Sequence, residues 1–177
     1  MTPAEYIQLK AFARIDGALL ALVWTLSFAC YLVGMARPVY GMVALMLILL
    51  TPFFAASRLR RFRDGAREGV ISIKRGWAYA VLMFFYGGIL MALAQYVYFA
   101  FIDHGYMFLQ LSRILESPEG KQMVEQYGMQ QTATESLGMW RELKPIDFAL
   151  NMLSLAIIGG IVIGLPIAVM VRKNVEH

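Results

Sequence analysis

The chain has 177 residues, 59% of them hydrophobic and 16% charged, with a mean hydropathy of +0.59; a soluble domain is roughly 45 to 50% apolar and 25% charged. That length gives room for one domain, and that balance excludes an ordinary soluble globule, so lipid is the solvent for much of the chain. The formal charge of +4 would suit nucleic acid, but the cations flank apolar runs without any recognition module, which assigns them to anionic headgroups and topology.

Thr2-Pro3-Ala4-Glu5 is a capping box that starts a helix. Tyr6, Ile7, Phe12 and Ile15 alternate with Lys10 and Arg14, as in a turn at the cytoplasmic interface. Residues 17–36 then carry no charge, and at about 1.5 Å per residue they cover roughly 30 Å, the thickness of a hydrocarbon core. This run is too long for a signal-peptide core, and Leu26 to Cys30 fails as a lipoprotein box because Ser27 stands where a large aliphatic residue is needed, so the chain reads as retained whole. Cys30, the one cysteine, has no partner for an internal disulfide.

Arg37-Pro38 interrupts the helix and makes a tight turn into a second span, 39–57, with Thr51-Pro52 predicted to bend it near its inner end. The segment 58–76 follows as a basic loop holding Arg58, Arg60, Arg61, Arg63, Arg67, Lys74 and Arg75 against Asp64 and Glu68, with Gly65, Gly69 and Gly76 as hinge or cap positions. Each Lys or Arg at mid-bilayer costs roughly 2.5 to 3.5 kcal/mol, so this loop is expected to stay in the cytoplasm and to orient every span around it. It is also expected to bind anionic lipid headgroups.

A third span, 77–102, has Trp77 and Tyr79 at one interface and Tyr96, Tyr98, Phe99 and Phe101 at the other. Residues 103–145 form the predicted extracytoplasmic loop. Phe108, Leu111, Ile114 and Leu115 recur at helical spacing, Ser117-Pro118-Glu119 starts a second short helix through Tyr127, and Gly128 ends it. The Gln- and Thr-rich tract 130–136 reads as a loop, and Leu137 to Leu143, with Trp140, leads back to the membrane. The last span, 148–171, ends on Arg172-Lys173. With Lys10, Arg14, the basic loop and this tail on one side, both termini are expected in the cytoplasm. The fold class is thus an all-α membrane protein with four transmembrane helices and a helical loop between the third and fourth.

Gln95 and Asn151 are the polar side chains set within spans, expected to form an interhelical hydrogen bond, with a substrate or ion path as the alternative. Asp16 is the one carboxylate near a span, and it reads as an edge residue. Gly160 and Gly164 on the fourth span, and Gly88 and Ala92 with Gly87 on the third, are small-residue faces that let helices approach closely, either within one bundle or in a homo-oligomer. Asp103 and His104, with Glu116, Glu142 and Asp147, form the one grouping that could bind metal or transfer protons. His177 belongs to the opposite end, so paired-histidine spacing is lacking and no catalytic, metal or cofactor residue is assigned. The twelve methionines are dispersed among aliphatics and read as packing residues.

Phe62-Arg63-Asp64, Glu68-Gly69-Val70-Ile71-Ser72-Ile73, Tyr96-Val97-Tyr98-Phe99 and Phe101-Ile102-Asp103 together resemble a bacterial membrane family catalogued as domain of unknown function 4199. The similarity covers most of the chain, through Ile161 to Lys173. The family pattern often has Gly-Gly before the Ile-Ser pair, where this chain keeps one glycine, Gly69. The resemblance implies a four-helix inner-membrane protein, supplies no activity, and points to a membrane glycosyltransferase as a partner. The function expected is that of a non-enzymatic accessory or scaffold acting through helix and loop contacts. The alternative is a small oligomeric transporter or channel for a small molecule or lipid.

Overall fold

The computed structural model describes residues 2–173; His177 lies outside them. Among the described residues there are eight helices: α1 (Pro3–Gly34), α2 (Pro38–Leu49), α3 (Thr51–Ala66), α4 (Ile73–Phe101), α5 (Tyr106–Glu116), α6 (Pro118–Gln126), α7 (Gln130–Glu142) and α8 (Pro145–Val171). Four stretches are long and apolar enough to cross a membrane: α1, α2 with α3, α4, and α8. The protein is all-α and multi-pass.

Local chemistry sets the helix ends. Glu5 N donates to Thr2 Oγ1 at 3.3 Å and Thr2 N donates to Glu5 Oε2 at 2.8 Å, which completes the box that opens α1. Arg37, preceding proline, takes an extended conformation with φ −138°, so α1 stops and α2 turns back. The two helices cross where neither has a side chain: a Cβ added to Gly34 would lie 2.5 Å from Gly41 N. At Thr51-Pro52 the chain bends from α2 into α3, and the bend is fixed because Trp24 Nε1 donates to the buried Thr51 Oγ1 at 3.0 Å.

The basic segment differs from the loop expected over 58–76. Helix α3 continues to Ala66, and only residues 67–72 are non-helical. The reason is a buried stripe of Ala55, Leu59 and Phe62 at spacings of four and three, which holds the helix against the bundle while arginines occupy its other faces. Gly69, at φ +82°, ends the segment in the left-handed region. Gly65 and Gly76, expected at hinges or caps, are both helical, and Gly76 packs against Ala168 and Leu59. The tract 130–136, expected as a loop, forms the first half of α7, since Gln, Ala and Glu are adequate helix formers.

Helix α4 is central, packed against α8 on one side and α1 on the other, while α2 packs on α1. After the bend, α3 crosses to reach α8. The bundle is therefore closed at its arginine-rich end and open between α2 and α8 at the other, where α5, α6 and α7 form a cap. Of the residues in α2, Ala44 alone is buried.

The α4/α8 seam is made from small residues. A Cβ on Gly88 would lie 2.6 Å from Ala156 Cβ, one on Gly160 would lie 2.8 Å from Phe84 Cβ, and one on Gly164 would meet Ala80 Cβ at 3.0 Å. Gly87 faces the other way, where its Cβ would be 3.0 Å from Gly17 O on α1. Overpacking costs roughly 1 to 3 kcal/mol, so Gly88→Val should lower the melting temperature of the detergent-purified protein by several degrees. Gly138→Ala, where nothing lies within 4 Å, should raise it slightly; equal effects of the two substitutions would refute this account of the seam.

Candidate functional site

At the arginine-rich end the seven cations divide into two groups. Arg58, Arg63, Arg67 and Arg75 are half-buried and hold partners within the chain, whereas Arg60, Arg61 and Lys74 are exposed. Arg58 Nε donates to Asp16 Oδ1 at 2.6 Å, and its second nitrogen also contacts that carboxylate. Tyr79 hydroxyl donates to the other oxygen of Asp16. Asp16, read from the sequence as an edge residue of its span, is 3% exposed: it is a buried carboxylate joining α1, α3 and α4. Phe62 stacks on Tyr79 with ring centroids 4.9 Å apart and covers this contact. The pairing was not readable from sequence, because Asp16 and Arg58 lie 42 residues apart. The available signal was a lone acid at the start of an uncharged run in a chain with seven clustered cations.

Around this pair lies a second layer. Glu5 accepts from Arg67 at 2.9 Å and from Arg75 at 2.8 Å. Arg63 bonds Asp64 at 2.7 Å and donates to the carbonyl of Val171 at 2.8 Å. Ile71 and Lys173 exchange backbone hydrogen bonds of 3.1 and 3.3 Å, which fastens the α3/α4 connection to the end of α8. The Thr2 backbone N–H, followed by Arg67 and Arg75, holds the Glu5 carboxyl below its ordinary value of 4.5. The Arg63 hydrogen bond does the same for Asp64 relative to 3.8.

The opposite end is differently built. Asp103 accepts from Gly105 N at 3.0 Å and from Met107 N at 3.1 Å, which caps α5. His104 is exposed, in the left-handed region at φ +45°, with Nδ1 2.8 Å from the Ile102 carbonyl. Asp147 accepts from Lys144 N at 2.8 Å, and so caps α8. Among the described residues no three His, Cys, Asp or Glu side chains are grouped to hold a metal, so Asp103 and His104 are not joined by Glu116, Glu142 and Asp147.

Gln95 and Asn151 do not make the expected interhelical hydrogen bond. Side-chain hydrogen bonds within the apolar spans run from Trp24 to Thr51, Ser27 to Ala44, Thr25 to Met91, Trp77 to Ile161 and Ser154 to Leu150; among the described residues none reaches either amide. The seams are occupied by glycine and alanine, which leaves Gln95 and Asn151 facing a cavity of about 570 Å³. Phe28, Phe99, Trp140 and Phe148 line it, with Phe99 stacked on Phe148 at 3.9 Å. Tyr96 does not line it and is 39% exposed. Trp140 and Phe148 bring α7 over the cavity; Phe148 was not singled out from the sequence, and Trp140 was read there only as part of the segment leading back to the membrane.

Residues 16–173 match the family described as Protein of unknown function (DUF4199). The chain belongs to that family. The match begins at Asp16 and ends at Lys173, so it takes in both the buried ion pair and the strap between Ile71 and Lys173. No curated protein and no solved structure matches the chain.

Two outcomes follow for this DUF4199 member. Removing one partner of a buried ion pair costs roughly 3 to 5 kcal/mol, since the other charge is left unpaired. Arg58→Ala should therefore destabilise the protein strongly, Arg60→Ala hardly at all, and Asp16→Ala should recover part of the loss when combined with Arg58→Ala; melting in detergent distinguishes these, and equal effects of the two arginines would sink the assignment. Glu5 and Asp64, held low in the folded state, stabilise it fully above their ordinary values, and that contribution is lost as pH falls through the folded ones. Melting temperature against pH should accordingly drop below about 4.5, and Glu5→Gln should flatten the drop.

Proposed function

We propose that this protein is a non-enzymatic accessory or scaffold of the bacterial inner membrane, acting by contact with another membrane protein. The observation that carries the reading is the cap formed by α5, α6 and α7. These helices lie beyond the ends of the spans, yet among them Met107 alone is buried, while Ile114, Met123 and Tyr127 expose from 47% to 69% of their surface. Large apolar side chains outside the hydrocarbon layer mark a surface that another body covers. The occupant proposed is the apolar surface of a second inner-membrane protein, docked beside the cap.

Topology supports the arrangement. The exposed Arg60, Arg61 and Lys74 suit the cytoplasmic leaflet and its anionic headgroups, which supports a reading with both termini in the cytoplasm and the cap on the far side. A membrane glycosyltransferase is the first partner to try, and a homo-oligomer is the second. The alternative, a small oligomeric transporter or channel for a small molecule or lipid, draws support from the cavity that Gln95 and Asn151 line.

A photoreactive residue placed at Met123 or Tyr127 in living cells should give one discrete protein adduct, whereas the same residue at Met42, on the lipid-exposed face of α2, should not. Adducts to lipid alone from the cap positions would overturn the proposal.

A further inference from the structure

We propose that the cavity between α1, α4, α7 and α8 is a binding site for a single-chain amphiphile whose head is uncharged and bears hydroxyl groups. This goes beyond the docking reading, which concerns the exposed side of the cap and does not require an occupant here.

The polar end is defined by Gln95, Asn151 and Ser136, with Asp147 at the rim. Gln95 precedes the end of α4, and Asn151 follows the start of α8, by about six residues each, which places both amides roughly 9 Å inside their helix ends. Among the described residues neither side chain has a hydrogen-bond partner within the chain, and with Gln95 half-buried and Asn151 exposed both amides are open to a ligand in the cavity. Each amide offers two donors and an acceptor, and Ser136 offers one donor and an acceptor. Hydroxyl groups, which both give and accept, complement that set.

Charge narrows the class further. No Lys or Arg lines the cavity among the described residues, and Asp147 is the sole acidic residue that does. An anionic head would meet a carboxylate and no counter-charge. A cationic head would find that carboxylate already accepting from the Lys144 backbone, beside the positive end of the α8 dipole. An uncharged head avoids both penalties.

The apolar part has a place to lie. A second cavity of about 480 Å³ shares Phe28, Tyr31, Gln95 and Met152 with the first and extends past Trp24 and Ala44 to Ile48. Both volumes fall within the roughly 300 to 1,000 Å³ of ordinary ligand pockets. The shared floor is α1 and α4, and α2 and α8 form no extended packing across it, so a chain can enter sideways from the bilayer.

The experiment uses the full-length protein in nanodiscs and monooleoylglycerol carrying a diazirine in its acyl chain. Labelling should fall on residues lining the deeper cavity, such as Ile48, Met91 or Met152, and be displaced by unlabelled monooleoylglycerol. Lysophosphatidate or an alkyl trimethylammonium of the same chain length should displace it roughly tenfold less well. Gln95→Leu with Asn151→Leu should weaken labelling roughly tenfold, the loss expected for hydrogen bonds removed from an apolar site, without lowering the melting temperature. Ser136→Ala, on the cap and outside the packed spans, should weaken it severalfold. Equal displacement by the charged analogues, unchanged labelling in both variants, or labels spread over the lipid-facing side of α2 would each overturn the proposal.

Discussion

Asp16 and Arg58 meet at the boundary between the arginine-rich end and the apolar spans, and the position of every other helix there follows from their contact. Moving each ion out of water costs several kcal/mol, which attraction offsets only when geometry is good and the remaining polar atoms find partners. Here the second carboxylate oxygen receives Tyr79, and Phe62 stacked on that ring keeps water away. The pair therefore joins three helices at one point: α1 through Asp16, α3 through Arg58 and α4 through Tyr79. Helix α8 joins them through Arg63 on its last carbonyls and through the Ile71 to Lys173 strap.

That constraint explains the asymmetry of the bundle. With α3 pulled toward Asp16 and α8, and α2 fixed by its proline turn to the far end of α1, the chain must bend between them. It does so at Thr51-Pro52, where a missing backbone donor makes bending inexpensive and Trp24 supplies a hydrogen bond to hold the angle. One consequence is closure at the charged end; the other is the gap between α2 and α8 at the other end. Small-residue contacts reinforce the division, because α4 and α8 approach through Gly88, Gly160 and Gly164, and α2 has a comparable contact only with α1, at Gly34 and Gly41.

The spans were legible because a charge-free run of about 20 residues has few alternatives to crossing a bilayer, and helix starts at Thr2, Pro38 and Ser117 were legible because caps and prolines act locally. What depended on approach in three dimensions was not. Arginine density over 58–66 suggested a loop, but the spacing of Ala55, Leu59 and Phe62 already described a helix with one buried face. Asp16 looked peripheral since its partner is on another helix. Gln95 and Asn151 stood out as polar groups within spans, and the small-residue faces of α4 and α8 were readable as well; that joining those faces would leave both amides off the seam depended on how each helix is rotated.

The two ends of this molecule thus solve the problem of polar groups near lipid in opposite ways. At the arginine-rich end, Asp16, Glu5 and Asp64 are each matched by a guanidinium, and the backbone there is strapped to α8, with Arg67 Nε left buried without a partner among the described residues. At the other end Asp103 and Asp147 are spent on capping α5 and α8, and the aromatic rings of Phe99, Trp140 and Phe148 stack over a space that the chain does not fill. Gln95, half-buried, and Asn151, exposed, hold hydrogen-bonding capacity at the wall of that space. The closed end supplies the rigidity that holds such a cavity in shape, which is how a chain this short can keep one side open.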